Sequence, residues 1–149
     1  MTKGGISKAS ACDYNELTEV WEASVRATHD FITEKDILFF KPLILNEYLV
    51  QLRLYYVKNY DNEIQGFIGF SEDKVEMLFV KPKFFGKGIG KALLSFAIDF
   101  HGVKKVDVNE QNLGAIAFYH KMGFQVYDRV EVDGLGKPYP LLLMELSLN

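Results

Sequence analysis

Between Met77 and Ile98 the chain carries four lysines, Lys81, Lys83, Lys87 and Lys91, and no acidic residue, although its formal net charge is −3. The same window holds Gly86-Lys87-Gly88-Ile89-Gly90-Lys91, a glycine-rich turn directly ahead of a helical pattern. Backbone N–H groups at a helix start point outward and carry partial positive charge, which suits an anion. Glycines let oxyanions approach the backbone with no Cβ in the way. The combination points to an anion site, above all for a diphosphate; the plain alternative is a solvated loop with ordinary surface lysines. Two common nucleotide sites do not fit. A triphosphate loop ending on Gly90-Lys91 would need glycine at Phe85 and a hydroxyl at Ala92. The dinucleotide fingerprint needs Gly-x-Gly-x-x-Gly on a first βα turn, and both spacing and position are wrong here.

Several elements must position this turn. Ile6 to Ala9 reads as a short edge strand. Asp13 and Glu16 have capping-box spacing, and Tyr14, Leu17, Val20, Trp21, Ser24, Val25 and Thr28 recur at helical intervals. A second helix is predicted from Thr33, with Ile37, Phe40, Ile44 and Tyr48 on one face and a kink or break at Pro42. Leu52–Val57, Ile64–Phe70 and Val75–Val80 read as three strands joined by short polar turns, hence an antiparallel meander. After the glycine turn, Ile89, Leu93, Phe96, Ala97 and Phe100 give a helix its apolar face, and Gly102 ends it. Val103–Val108 follows as a strand parallel to the last, because a strand-helix-strand unit returns that way. A short helix, Leu113–Met122, is closed by Gly123. Phe124–Val132 and Pro140–Leu148 are the final strands. The order β-α-α-β-β-β-α-β-α-β-β gives an α/β (α+β) fold with a mixed sheet of about seven strands and helices on both faces.

These motifs together resemble the GCN5-related N-acetyltransferase (GNAT) family. The loop Gly86–Lys91 after Leu78-Phe79-Val80 is similar to the family's acetyl-CoA loop. The run Asn112-Leu113-Gly114-Ala115-Ile116-Ala117-Phe118-Tyr119-His120-Lys121-Met122-Gly123-Phe124 resembles its second cofactor motif, in the family's order. The resemblance covers nearly the whole chain and implies a GNAT fold over 1–149 as one N-acetyltransferase domain, with splayed parallel middle strands. It implies that Gly86, Lys87, Gly88, Ile89, Gly90 and Lys91 hold the pyrophosphate. Phe85 stands where the family usually has Arg or Gln, which leaves the backbone amides to do the binding. Leu78, Phe79 and Val80 would pair with pantetheine amides, and Asn112 would hydrogen-bond the cofactor arm. Tyr119 aligns with the tyrosine that protonates the departing CoA thiolate in many members; alternatively it is aromatic core. Trp21 to Ile32, with Tyr139-Pro140-Leu141-Leu142, resembles a bacterial subgroup, small acetyltransferases of the YjaB type. In this fold the junction of the first two helices overhangs the acceptor pocket, so His29 and Phe31 are expected at the substrate; alternatively His29 is a helix-end histidine that hydrogen-bonds backbone.

An ammonium acceptor must lose a proton before it attacks. Strand alternation places Glu76 with Leu78 and Val80 on one face, where a carboxylate would take that proton through a water; equally, it is a solvent-facing strand residue. Glu72 and Glu110 are weaker candidates. His101 and His120 read as helix-surface residues and Cys12 as structural, so no metal is expected.

Composition narrows the rest. The 149 residues are 48% hydrophobic and 25% charged, with one cysteine, which excludes a disulfide within the chain, disorder and a multi-Cys zinc site. No apolar run approaches the ~18 residues of a membrane span and no signal core is seen, so a cytoplasmic location is expected. A short basic patch on an acidic chain without a stacking pattern argues against nucleic acid. The expected function is direct transfer of an acetyl group from acetyl-CoA to a primary amine of a small molecule or peptide, by a monomer or homodimer. The alternative is a catalytically weak CoA-binding sensor or interaction module.

Overall fold

Turn residues between β-rich runs fold the middle of the chain into a meander. The computed structural model describes residues 5–28, 32–133 and 136–147. Strand β1 (Ile6–Lys8) pairs antiparallel with β2 (Arg53–Lys58), β2 with β3 (Ile64–Ser71), and β3 with β4 (Lys74–Val80). Helix α3 (Ile89–His101) then carries the chain to β5 (Lys105–Asn109), which runs parallel to β4. Strand β7 (Leu141–Leu146) lies antiparallel between β5 and β6 (Phe124–Val130), giving the order β1-β2-β3-β4-β5-β7-β6. This is the element order expected from the sequence, with strand ends moved by one to a few residues.

The sheet separates two apolar layers. On one face, Leu17, Val20, Trp21 and Val25 of α1 (Tyr14–Thr28) and Ile37 of α2 (Glu34–Leu43) pack on Leu54, Ile64, Phe67 and Met77. On the other, Leu93, Leu94 and Ala97 of α3 and Tyr119 of α4 (Leu113–Lys121) pack on Ile68, Phe70, Val106 and Met144. Each fully buried aliphatic side chain contributes about 1.5–3 kcal/mol against exposure, so both layers hold the sheet rigid under whatever binds at its edge.

Local details differ from the expectations in three places, and at a fourth, Pro42, the expected break takes the form of a change of helix type. The cap at the start of α1 sits three residues earlier, where the Asp13 carboxylate accepts the Ser10 N–H at 2.9 Å. Glu16 instead ties the helix to the sheet by accepting the Ile64 N–H at 2.9 Å. Pro42 lies inside α2, and the chain passes directly into a π-helical turn at Ile44–Tyr48; a proline removes one helical N–H donor, and the wider turn follows it. Phe100 is exposed rather than on the apolar face. His101 is not a bare surface residue, since its ring packs about 5 Å from those of Tyr55, Phe70 and Phe96.

Candidate active site

The site begins where two parallel strands part. β4 and β5 pair only at Lys74–Lys105 and Val75–Val106, and the Lys74–Asp107 ion pair at 2.5 Å crosses the last joined rung. One residue further, the register between β3 and β4 shifts: Phe70 faces Val75 and Gly69 faces Met77, so Glu76 has no partner on β3. A bulge adds local twist and re-aims side chains, and here it turns β4 away from β5. The result is a cleft of about 980 Å³ walled by Leu78–Val80, the glycine turn, Val108 and the start of α4.

The turn itself is a set of donors. Gly86 and Gly88 have φ of 77° and 81°, a left-handed conformation that other residues adopt only at a cost. A Cβ on either would meet nothing within 4 Å, so backbone angle, not space, asks for glycine there. Gly90 is different: its Cβ would sit in ordinary contact, 3.7 Å from Phe118. Among the described residues, the N–H groups from Gly86 to Lys91 have no backbone acceptor, whereas Phe85 donates to Pro82 and Ala92 to Gly88. These donors surround the start of α3, whose dipole adds to them. The charge around them is lower than the sequence window suggested. Lys81 and Lys83 both pair with Glu63, at 3.0 and 2.9 Å, and the two ammonium groups, Lys83 first, hold that carboxyl below its ordinary range. Lys91 lines the cleft, and Phe85 presents a half-exposed ring to it.

Tyr119 lies deeper in the same cleft. Its ring is buried, wedged edge-on against Phe118 and Phe124 at 5.1 and 5.5 Å. Its hydroxyl has no hydrogen-bond partner among the described residues, and burial pushes its pKa well above the ordinary tyrosine value. A buried O–H that stays protonated is a donor awaiting an acceptor. Asn112 caps α4, its Oδ1 accepting the Ala115 N–H at 3.1 Å, so part of its polar capacity is already used by the fold.

Glu76 stands at the junction of two cavities. Because of the bulge, Val75 rather than Glu76 shares a face with Leu78 and Val80. The exposed Glu76 carboxylate accepts from Ser71 Oγ at 3.1 Å and lines both the cleft and a second cavity of about 640 Å³. That second cavity lies among α1, α2 and the segment before β7, with Trp21, Phe40, Tyr48 and Tyr139 as its aromatic wall. Its lining takes residues from both helices at whose junction the acceptor was expected, Trp21 and Val25 of α1 and Phe40 of α2. His29 and Phe31 lie outside the described residues. Phe40 and Tyr48 were legible only as one face of a helix; a helical stripe looks the same whether it buries against a core or borders a cavity. Glu72 and Glu110 line neither cavity, and Glu110 is held by Arg129.

Comparisons agree with this geometry. The family profile for the acetyltransferase (GNAT) domain matches residues 51–126. The peptidyl-lysine N-acetyltransferases YjaB of Salmonella typhimurium and Escherichia coli are each 39% identical over 127 residues, 85% of this chain and 87% and 86% of theirs. The solution structure of apo YjaB from Escherichia coli superposes with a TM-score of 0.84 at 35% identity, covering 95% of both chains. A Thermoplasma acidophilum PaiA N-acetyltransferase solved with coenzyme A shares the fold, with a TM-score of 0.74 at 24% identity over 96% of this chain and 98% of that one. With its splayed β4 and β5 and its glycine turn at the start of α3, the chain belongs to the GNAT family of N-acetyltransferases.

Proposed function

We propose that this protein transfers the acetyl group of acetyl-CoA directly to the side-chain amine of a lysine in a peptide or protein, with no acetylated enzyme in between. The observation that carries the reading is the buried Tyr119 hydroxyl, without a hydrogen-bond partner among the described residues, in a cleft whose far end is lined by backbone donors that have no backbone acceptor among them. The named activity of the YjaB relatives, acting on peptidyl-lysine, supports the choice of acceptor. Acetyl-CoA supplies a thioester whose carbonyl carbon an amine can attack and whose thiolate can leave.

The chain's own residues divide the remaining work. N–H groups from Gly86 to Lys91 bind the pyrophosphate oxygens, and Lys91 adds charge. Leu78, Phe79 and Val80 offer backbone edges, left open by β5, to the pantetheine amides. The same strand's N–H groups polarise the carbonyl as negative charge gathers on its oxygen. Glu76 receives the amine's proton through water, so that the nitrogen attacks with a free electron pair. As the C–N bond forms and the C–S bond breaks, the nitrogen releases its second proton to water, and Tyr119 gives its proton to sulfur and regains one from solvent. Most of the acceleration comes from holding both reactants in line. No helix among the described residues is long and apolar enough to cross a membrane, and the proposed setting is the cytoplasm.

Incubation with acetyl-CoA and a blocked lysine tripeptide, followed by mass spectrometry of the peptide and thiol release, tests the reading. Acetylated peptide in proportion to free thiol is expected. Saturable CoA binding without transfer to any lysine peptide would favour a CoA-binding sensor instead.

A further inference from the structure

The second cavity has one wall that belongs to no helix or strand. Residues 136–140 lead into β7, and two of their side chains reach one carboxylate on α2. The Tyr139 hydroxyl donates to Asp36 Oδ2, and Lys137 Nζ lies 3.4 Å from Asp36 Oδ1. The Lys137 ammonium also sits 4.3 Å from the centroid of the Phe39 ring. Asp36 is itself fixed in the first turn of α2, its N–H donating to Thr33 Oγ1 at 3.1 Å. On the opposite side, the Pro140 carbonyl accepts the Glu110 N–H at 2.9 Å. Held from both sides, Tyr139 is 9% exposed and presents its ring to the cavity beside Trp21 and Tyr48. Asp36 lines neither cavity, and the proposed chemistry has no use for it.

Hydrogen bonds to an ionised carboxylate are about twice as strong as neutral ones. The Tyr139 hydrogen bond and the Lys137 ion pair together offset part of the entropy of ordering residues 136–140. We infer that Asp36 is a positioning residue for the acceptor: through Tyr139 and Lys137 it clamps the wall of the second cavity and so sets acceptor affinity without touching acetyl-CoA. The inference rests on the reading of that cavity as the acceptor site.

The chain has one tryptophan, Trp21, and it lines the cavity. Acrylamide quenching of its fluorescence therefore reads the wall with no turnover needed. Asp36→Ala and Tyr139→Phe should each make Trp21 more quenchable, and the double variant less so than the sum of the two, since both remove the Tyr139–Asp36 hydrogen bond. Asp36→Asn, whose amide oxygen still accepts from Tyr139, should restore most of the protection. With a blocked lysine tripeptide, KM should rise about tenfold, the loss expected for one hydrogen bond to a charged group. kcat and the acetyl-CoA Kd should stay within a factor of about two. Unchanged quenching in Tyr139→Phe and Asp36→Ala, or additive effects in the double variant, overturns the clamp. An acetyl-CoA Kd that rises as much as KM shows a general structural staple and overturns the positioning role. If the wild type turns over no lysine peptide, the acceptor assignment fails, and quenching still decides the clamp.

Discussion

The two cavities that meet at Glu76 are built from different materials. The cleft between β4 and β5 is a backbone site: parted strands, glycines at positive φ and amide donors with no backbone acceptor among the described residues. The cavity under α1 and α2 is a side-chain site, walled by Trp21, Phe40, Tyr48 and Tyr139 and propped by Asp36. A backbone site recognises what every donor molecule shares, while a side-chain site can be changed residue by residue without disturbing the fold.

The sharpest way to break the comparison is at Tyr119, a side chain acting inside the backbone site. Tyr119→Phe should lower kcat about 10²-fold, the lower end for lost general-acid catalysis, with the acetyl-CoA Kd unchanged in calorimetry. Unchanged turnover under saturating substrates would remove the residue from the mechanism. Its raised pKa gives a second readout. A tyrosine whose folded pKa lies above the unfolded ~10 contributes fully below that value and loses its contribution only as pH rises beyond it. The kcat profile should therefore show no fall between pH 8 and about 10 that Tyr119→Phe abolishes.

Glu76→Gln should lower kcat/KM by about 10²-fold near neutral pH if the carboxylate takes the amine's proton. The deficit should shrink as pH approaches ~10.4, where a lysine amine is already neutral. A pH-independent deficit would make Glu76 a binding residue only. Next in size is the glycine turn. Gly88→Ala should weaken acetyl-CoA about tenfold, reflecting the ~1–2 kcal/mol that a Cβ costs in the left-handed region, while Gly90→Ala should be nearly silent because its Cβ has room. Equal effects at both positions would mean the loop tolerates side chains by some other route.

The smallest effects should come from the lysines. Lys91→Ala should weaken acetyl-CoA about threefold and reduce the salt dependence of binding, as for an exposed charge. Lys81→Ala should leave binding unchanged, since that ammonium already serves Glu63. Asp36 supplies the acid-side counterpart. Its carboxyl is held below the ordinary range, first by Tyr139 and then by Lys137. The ionic part of the clamp is therefore complete above the unfolded value of ~3.9 and is lost as pH falls through the lower folded value; Trp21 quenching should rise there only as far as it does in Asp36→Asn, and not at higher pH.

The same contrast explains what could be read from the sequence. Gly86, Gly88 and Gly90 announce a backbone site directly, because glycine spacing and the following helix are local features. The splay of β4 from β5 was legible only through family resemblance; its local cause, the bulge at Glu76, breaks the alternation on which strand reading depends. Tyr139 and Asp36 are 103 residues apart, and no periodicity links them. The charge window misled for the same reason. Glu63, which neutralises Lys81 and Lys83, comes from the turn between β2 and β3 and is invisible to a count within the window.

The central claim is that backbone donors of the glycine turn bind acetyl-CoA. Calorimetric titration of acetyl-CoA into wild type, Gly88→Ala and Lys91→Ala, with ATP and NAD as controls, tests it most directly. The account predicts saturable one-to-one binding of acetyl-CoA alone, lost more in Gly88→Ala than in Lys91→Ala. No binding at millimolar ligand, or a larger loss from the lysine than from the glycine, would contradict it.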